Sequence, residues 1–311
     1  MNVSSPLIGI DLGGTKIEII ALSSDGETLF RTRTATPKHN DPNHQYLLII
    51  EAIRNLIVNC ENTIGYNSLP VGIGIPGAVS PKTGKIKNAN TTCLIGQDFQ
   101  SDLRQSLLRP IKIENDANCF ALSEAIDGAG KQAQTVFGVI LGTGVGGGIV
   151  INQQVLIGAN AIGGEWGHNP LPWAQEKDQP LQACYCGKKG CIETYLSGPG
   201  MAKQAKLQFD EQGNVPLTSH DIFEKRTSNQ AAQSAYEHYV DRLARSLATV
   251  INVIDPDVIV LGGGLSNVDS LYDDVTKTWE RYAFSDGINT QLLKIQFGDS
   301  SGVRGAAWLN Q

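Results

Sequence analysis

No run of lysine or arginine in this sequence exceeds two residues, and the formal net charge is −6. The chain therefore lacks the basic footprint by which proteins hold nucleic acid or anionic membranes, and small-molecule partners are expected instead. Long apolar runs are missing too: nothing approaches the ~18 uninterrupted apolar residues of a membrane-spanning helix. The opening residues, MNVSSPLIGID, carry neither a charged leader nor an apolar signal core, so a cytoplasmic protein is expected. The phosphate-binding pattern GxxxxGK[ST] is absent. Cysteine is sparse, six in 311 residues, yet three of the six fall in CYCGKKGCIE, residues 184–193. In a reducing compartment such crowding points to metal ligands before disulfides.

What the sequence does have is glycine, 34 residues without a low-complexity tract, and a charged fraction of 18% against 41% apolar, as in a soluble globular protein. Short apolar runs end in glycine-rich or acidic turns: LIGIDLGGTK, VGIGIPG, IKIENDAN, FGVILGTGVGGG and VIVLGGG. These predict buried strands. Helical spacing of apolar residues predicts helices over 46–59 and 231–254, the second stopping before Asp255 because Pro256 pushes its predecessor out of the helical region. The mixture predicts an α/β fold. GIDLGGTKIEIIAL and VILGTGVGGGIVIN both run strand, glycine turn, strand, so two related halves are expected.

Two of the glycine turns match G-x-G-x-x-G, at 72–77 and 142–147, but neither opens a helix as the dinucleotide fingerprint requires. The first meets Pro76 and Pro81; the second runs into the strand-like GIVIN. GDSSG at 298–302 fits a nucleophile elbow, yet no Asp or His follows Ser301 to complete a triad. A glycine hairpin between strands can instead turn backbone N–H groups toward an anion, so DLGGTK and LGTGVGG suit phosphates. Asp11, where the first strand meets its turn, suits Mg²⁺ held through water. Tight hairpins also use glycine for their own geometry; a third turn, LGGG at 261–264, strengthens the phosphate reading.

IGIDLGGTK, NDAN, GTGVGGG, GEWGH, CYCGKKGC and IVLGGGLSN, in this order over nearly the whole chain, resemble the ROK family of bacterial sugar kinases. KNANTT, GEWGHNPLPW and GDSSGVRGAAW are most similar to the family's fructokinase and mannokinase members, while NDANCFALSEA and ILGTGVGGG also resemble its N-acetylglucosamine kinases. The resemblance implies the actin-like ATPase fold, two ribonuclease-H-like domains with a cleft that closes on sugar and ATP. On that pattern the domains are 1–114, with a C-terminal helix of about 299–311 packing back on it, and 115–298, which carries a zinc-binding loop. A homodimer is also implied.

Carried over position by position, the resemblance puts Asp11, Gly13, Gly14, Thr15, Lys16, Gly142, Thr143, Gly144 and Gly146 at the phosphates of ATP and its Mg²⁺, with Gly262, Gly263 and Asn267 near the adenosine. Asp116 becomes the general base, with Asn90 and Asn115 beside it on the sugar. Phosphoryl transfer needs positioning, charge stabilisation and one carboxylate to accept the hydroxyl proton, so the assignment is chemically sound. "END" also reads as the cap of the helix that starts at ANCFALSEA, and the two roles are compatible.

Zinc takes four ligands in a tetrahedron. Cys184, Cys186 and Cys191 supply three, and the family pattern selects His168 as the fourth among five histidines, giving a saturated, structural Cys₃His site. Free thiols without metal are the alternative; a redox pair is disfavoured by C-x-C spacing. Glu165 and Glu193 flank these ligands. Alone each reads as a solvated charge, whereas the family pattern places both, with His168, on sugar hydroxyls. The resulting expectation is ATP-dependent phosphorylation of a hexose at its 6-hydroxyl, fructose first, with mannose, glucose or N-acetylglucosamine as alternatives. A sugar-responsive repressor of the family is disfavoured, since only ten residues precede Asp11 and such repressors carry a DNA-binding domain there.

Overall fold

The computed structural model describes residues 5–209 and 218–311. Strands β1 (Leu7–Leu12), β2 (Lys16–Leu22) and β3 (Thr28–Ala35) pair antiparallel in succession. Helix α1 (Pro42–Ile64) leads to β4 (Val71–Ile75), which lies parallel to β1. A ribbon of β5 (Ala78–Val79) and β6 (Ile86–Lys87) and helix α2 (Phe99–Leu107) precede β7 (Ile111–Asn115), parallel to β4. The sheet order is β3-β2-β1-β4-β7, and α3 (Asp116–Ile126) leaves the end of β7 directly.

A second sheet repeats that order. It contains β8 (Thr135–Leu141), β9 (Val145–Ile151), β10 (Gln154–Val155), β11 (Val258–Gly262) and β12 (Gln291–Lys294), arranged β10-β9-β8-β11-β12. In each sheet an antiparallel edge is followed by parallel strands, as the duplicated glycine hairpin predicts. The remaining helices are α4 (Glu193–Leu196), α5 (Gly198–Phe209), α6 (Ser219–Lys225), α7 (Gln230–Ile254), α8 (Ser270–Trp279) and α9 (Ser301–Trp308).

Helix ends follow from local chemistry. The helix expected over 46–59 is longer at both ends: Asp41 caps α1 by accepting from the Asn43 N–H with Pro42 in the first turn, and Gly65 ends it at φ 76°. Helix α7 stops at Ile254, and Asp255 adopts φ 49° before Pro256.

Contacts divide the chain into two units: Met1–Lys131 with Gly148–Gly163 and Gln296–Gln311, and Gln132–Gly147 with Gly164–Ile295. The crossing from the second to the first at Gly147/Gly148 falls inside β9. This division differs from the 1–114 and 115–298 expected from sequence, because α3 goes with the first unit. The cause is α9, which packs between the β1/β4 backbone and α3. Gly9 and Gly72 are register partners, and a Cβ on either would run into the backbone of α9 at Val303, Ala306 or Ala307. On the opposite side a Cβ on Gly305 would collide with the Cys119 carbonyl of α3. Glu124 of α3, fully buried, adds a polar pin: it accepts from Ser301 Oγ at 2.7 Å, from the Ala129 N–H at 2.9 Å and from the Gln296 N–H at 3.2 Å.

The second unit has a buried ion cluster. Asp178, fully buried, accepts from Arg242 Nε at 2.8 Å and from Arg245 Nη2 at 2.9 Å of α7, while Arg245 Nη1 donates to the Pro172 and Trp173 carbonyls. Burial works to raise the Asp178 pKa, but the Gln175 N–H and the two guanidinium groups outweigh it and hold the carboxyl below its ordinary range.

A lowered carboxyl pKa gives stabilisation that is full above the unfolded-state value of about 4 and is lost as pH falls through the folded-state value. Asp178→Asn, which leaves the buried Arg242 guanidinium without a counter-charge and Arg245 with Asp241 as its remaining carboxylate partner, is expected to cost roughly 3–5 kcal/mol at neutral pH. In urea unfolding, the parent should lose stability more steeply than the variant on acidification below about pH 4; parallel pH profiles would refute the cluster's role.

Candidate functional site

The first unit presents a glycine turn and a group of carboxylates. Gly13 to Thr15 turn β1 into β2, held by the Gly13 N–H on the Lys16 carbonyl at 2.9 Å and by Thr36 Oγ1 on the Gly13 carbonyl at 2.7 Å. Gly14 and Thr15 stay exposed. Lys16 opens β2, its Nζ 3.5 Å from Glu18, which also receives Arg31 Nε at 2.5 Å. Asp11 is the register partner of Glu18. Burial first, then the charges of Asp116 and Glu18, outweigh Lys16 and push the Asp11 carboxyl up to about 7.

Asn115 caps α3 by accepting from the Ala117 N–H at 2.9 Å, and Asp116 Oδ1 takes the same N–H at 2.8 Å. The helix-cap reading of "END" thus belongs to Asn115, which fixes where Asp116 stands. Asn115 Nδ2 donates to the Gly77 carbonyl at 3.1 Å, and the Asn90 N–H to the neighbouring Pro76 carbonyl at 3.0 Å. The structure therefore brings Asn90, Asn115 and Asp116 to one turn. Ser301 of GDSSG spends its hydroxyl on Glu124, and a Cβ on Gly302 would lie 3.7 Å from the Asp11 carboxyl.

In the second unit, the Gly142–Gly144 turn joins β8 to β9. It borders a hollow of about 440 Å³ lined by Gly142, Thr143, Gly198, Ser219, Gly264 and Leu265 among others. Sequence reasoning reached Gly142 and Thr143 and missed Gly198 and Ser219, which open α5 and α6, and Leu265, which directly follows the LGGG turn. Gly263, at φ 82°, lets the end of β11 lie against the Leu141 backbone, where a Cβ would collide. Gly262 ends β11, and Asn267 Nδ2 donates to the Gly264 carbonyl at 3.3 Å. Gly146 is in β9, its carbonyl accepting from Trp166 Nε1 at 3.0 Å.

His168, Cys184, Cys186 and Cys191 converge, their ligand atoms all within 4.8 Å of one another. Cys186 Sγ and Cys191 Sγ are 3.6 Å apart, and Cys184 Sγ is 3.5 Å from His168 Nδ1. A disulfide requires about 2.05 Å. The edges of a tetrahedron with metal–sulfur bonds of about 2.3 Å and metal–nitrogen bonds of about 2.0 Å measure roughly 3.7 Å and 3.5 Å, so the donor set and spacing fit a zinc-sized cation. Cys60, Cys93 and Cys119 are buried and stand apart from this group.

Glu165 is exposed just before the short turn Trp166–His168. Glu193, the first residue of α4, has a partner that its place beside Cys191 does not disclose. Its Oε2 accepts from the Val145 N–H at 3.0 Å, and a Cβ on Gly144 would lie 2.9 Å from that oxygen. One carboxylate thus ties the helix after the cysteine loop to the glycine turn. The signal in the sequence is Gly144 itself, a position where the backbone needs no glycine conformation and the neighbouring carboxylate needs the room.

Solved structures with the same fold include the ROK hexokinase of Thermus thermophilus, 27% identical with a TM-score of 0.83 over 98% of this chain and 97% of that one. Another is a ROK family glucokinase of Streptomyces griseus in complex with glucose and AMPPNP, 29% identical with a TM-score of 0.74 over 98% and 99%. The fold is the actin-like ATPase fold. The ROK family model matches residues 7–311, and this chain belongs to the ROK family. Among curated relatives, the N-acetyl-D-glucosamine kinase of Vibrio cholerae is 38% identical over 307 residues, 97% of this chain and 98% of its own.

The tie between Glu193 and the glycine turn has a measurable signature. Gly144→Ala is expected to destabilise the protein by roughly 1–2 kcal/mol by driving the carboxylate off the Val145 N–H. In a Glu193→Ala background the same substitution should be nearly neutral, so a double-mutant cycle by urea unfolding should return a coupling of that size. An additive cycle would show that the two residues do not meet.

Proposed function

We propose that this protein is an ATP-dependent hexose kinase that phosphorylates the 6-hydroxyl of N-acetyl-D-glucosamine. The observation that carries the reading is the near full-length similarity to the Vibrio cholerae N-acetyl-D-glucosamine kinase. The glucokinase that resembles this chain with glucose and AMPPNP bound supports the reaction class. Fructose, placed first by KNANTT, GEWGHNPLPW and GDSSGVRGAAW, is the second reading.

Asp116 is the general base: fixed at the start of α3 by the Asn115 cap and the Ala117 N–H, it accepts the proton of the attacking hydroxyl. Asn90 and Asn115, held to adjacent carbonyls, orient sugar hydroxyls. Glu165, His168 and Glu193 contribute further hydroxyl contacts; Glu193 uses Oε2 for Val145 and offers Oε1 to the sugar. Thr15 and Lys16 with the Gly13–Gly14 turn, and Thr143 with Gly142, Gly144 and Gly146, take the phosphates, while Gly262, Gly263 and Asn267 lie toward the nucleoside, next to the hollow edged by Gly264. Asp11 would hold Mg²⁺, since a carboxyl kept partly protonated by burial and like charges is short of a positive partner. The metal supplies charge neutralisation at the phosphates. His168, Cys184, Cys186 and Cys191 would hold a structural zinc ion, which fixes the loops bearing Glu165 and Glu193.

A coupled assay of ATP consumption with a panel of hexoses tests the reading. N-acetyl-D-glucosamine is expected to give the highest kcat/KM, and Asp116→Asn to lower kcat by about 10²–10⁴-fold. Turnover of no hexose, or undiminished turnover by the variant, would sink it. A clear preference for fructose would select the second reading.

Metal analysis should find one zinc ion per chain in the parent and none in Cys186→Ser, together with loss of activity. Full turnover by the metal-free variant would separate the metal site from the sugar site.

A further inference from the structure

The glycine turn between β1 and β2 is held by a residue that no motif marks. Thr36 directly follows β3 and precedes Pro37. A residue before proline is kept extended, and proline has no N–H of its own, so the pairing of β3 with β2 runs one residue past Ala35 and ends there. Thr36 is only 4% exposed, and both of its donors reach the turn. Its N–H donates to the Thr15 carbonyl at 2.9 Å, and its hydroxyl to the Gly13 carbonyl at 2.7 Å. A β-branched side chain has few rotamers, so little freedom is lost in holding that hydroxyl in place.

A trans peptide sets its C=O and its N–H on opposite sides of one plane. With the Gly13 carbonyl turned to Thr36, the Gly14 N–H of the same peptide faces the other way. Among the described residues that N–H has no acceptor. Gly14 is exposed, its φ lies outside the left-handed region, and no atom stands within 4 Å of where a Cβ would be. The turn itself therefore makes no demand for glycine at this position, whereas a ligand that must come close to a bare N–H does. We propose that Thr36 is a positioning residue for the nucleotide: its hydroxyl fixes the Gly13–Gly14 peptide so that the Gly14 N–H donates to a phosphate oxygen of ATP. The inference rests on the reading of this chain as an ATP-dependent kinase. The Thr36 hydroxyl is spent on Gly13, so it acts through the turn and not on the sugar.

Three full-length proteins test it: the parent, Thr36→Val, which keeps the shape and removes the hydroxyl, and Thr36→Ser, which keeps the hydroxyl and removes the methyl. Binding of Mg²⁺·AMPPNP is read by calorimetry, and KM is measured separately for ATP and for N-acetyl-D-glucosamine. Thr36→Val is expected to bind the nucleotide about three- to tenfold more weakly and to raise KM for ATP by the same factor, with KM for the sugar within about twofold of the parent. Thr36→Ser should restore parental values. A Val variant with parental nucleotide affinity overturns the proposal. So does an equal loss for ATP and sugar, which would be a general distortion, or a Ser variant as impaired as Val, which would assign the effect to the methyl group. A measurement on the parent alone keeps the test open should Thr36→Val not fold: hydrogen exchange of the Gly14 amide, followed by NMR, should slow on addition of Mg²⁺·AMPPNP, and unchanged exchange at saturation overturns the proposal. A parent that binds the nucleotide but phosphorylates no hexose refutes the hexose kinase reading, a failure distinct from these.

Discussion

Much of the first unit depends on one constraint, the seating of α9 directly on bare backbone. Three glycines make this possible: Gly9 and Gly72, adjacent across β1 and β4, form a trough in the sheet, and Gly305 opens the opposite face of the helix to α3. No side chain separates these elements, so their spacing is set by backbone van der Waals contact and tolerates no added methyl. Glu124 then fixes the approach to the helix through Ser301 and the Gln296 N–H. Because α3 begins at Asp116 and α9 begins beside Asp11, the same packing holds both carboxylates on rigid supports.

The second unit relies on charge where the first relies on glycine. Arg242 and Arg245, two side chains of α7, reach Asp178 and the carbonyls of Pro172 and Trp173, and so order the loop that follows His168. Glu193 does a similar task at shorter range, joining α4 to the turn between β8 and β9. Loops that would otherwise fluctuate are thereby tied at both ends to regular elements.

The fold was largely legible in the sequence because its strongest signals are local. Apolar runs that end in glycine turns marked β1, β4, β8 and β11, and the repeated hairpin anticipated the repeated strand order. The cysteine cluster was legible for the same reason, since C-x-C-x₄-C spacing brings three donors together within one loop. What stayed hidden depends on contacts between distant segments. The glycines of GIGIPG mimic a nucleotide motif, while Gly72 instead makes room for α9 and Gly74 for Cys119. The boundary expected at 114 separates α3 from the sheet it follows because nothing near Asp116 reveals its packing on Gly305. Asp178, Arg242 and Arg245 give no periodic signal, and Glu193 beside Cys191 does not announce a bond to Val145.

The trough of Gly9 and Gly72 also sets an order of events. During synthesis β1 and β4 emerge early, but the helix that covers them is made only after the whole of the second unit. Until then the first unit exposes a strip of apolar sheet that nothing nearby in sequence can cover, while the second unit already has all its segments. Closure must wait for a contact between remote parts of the chain, a slow kind of step. An eight-residue helix containing Gly302 and Gly305 has little stability alone, so it gains its form chiefly as it docks. For a newly made molecule, α9 is the latch whose docking completes the packing of the first unit.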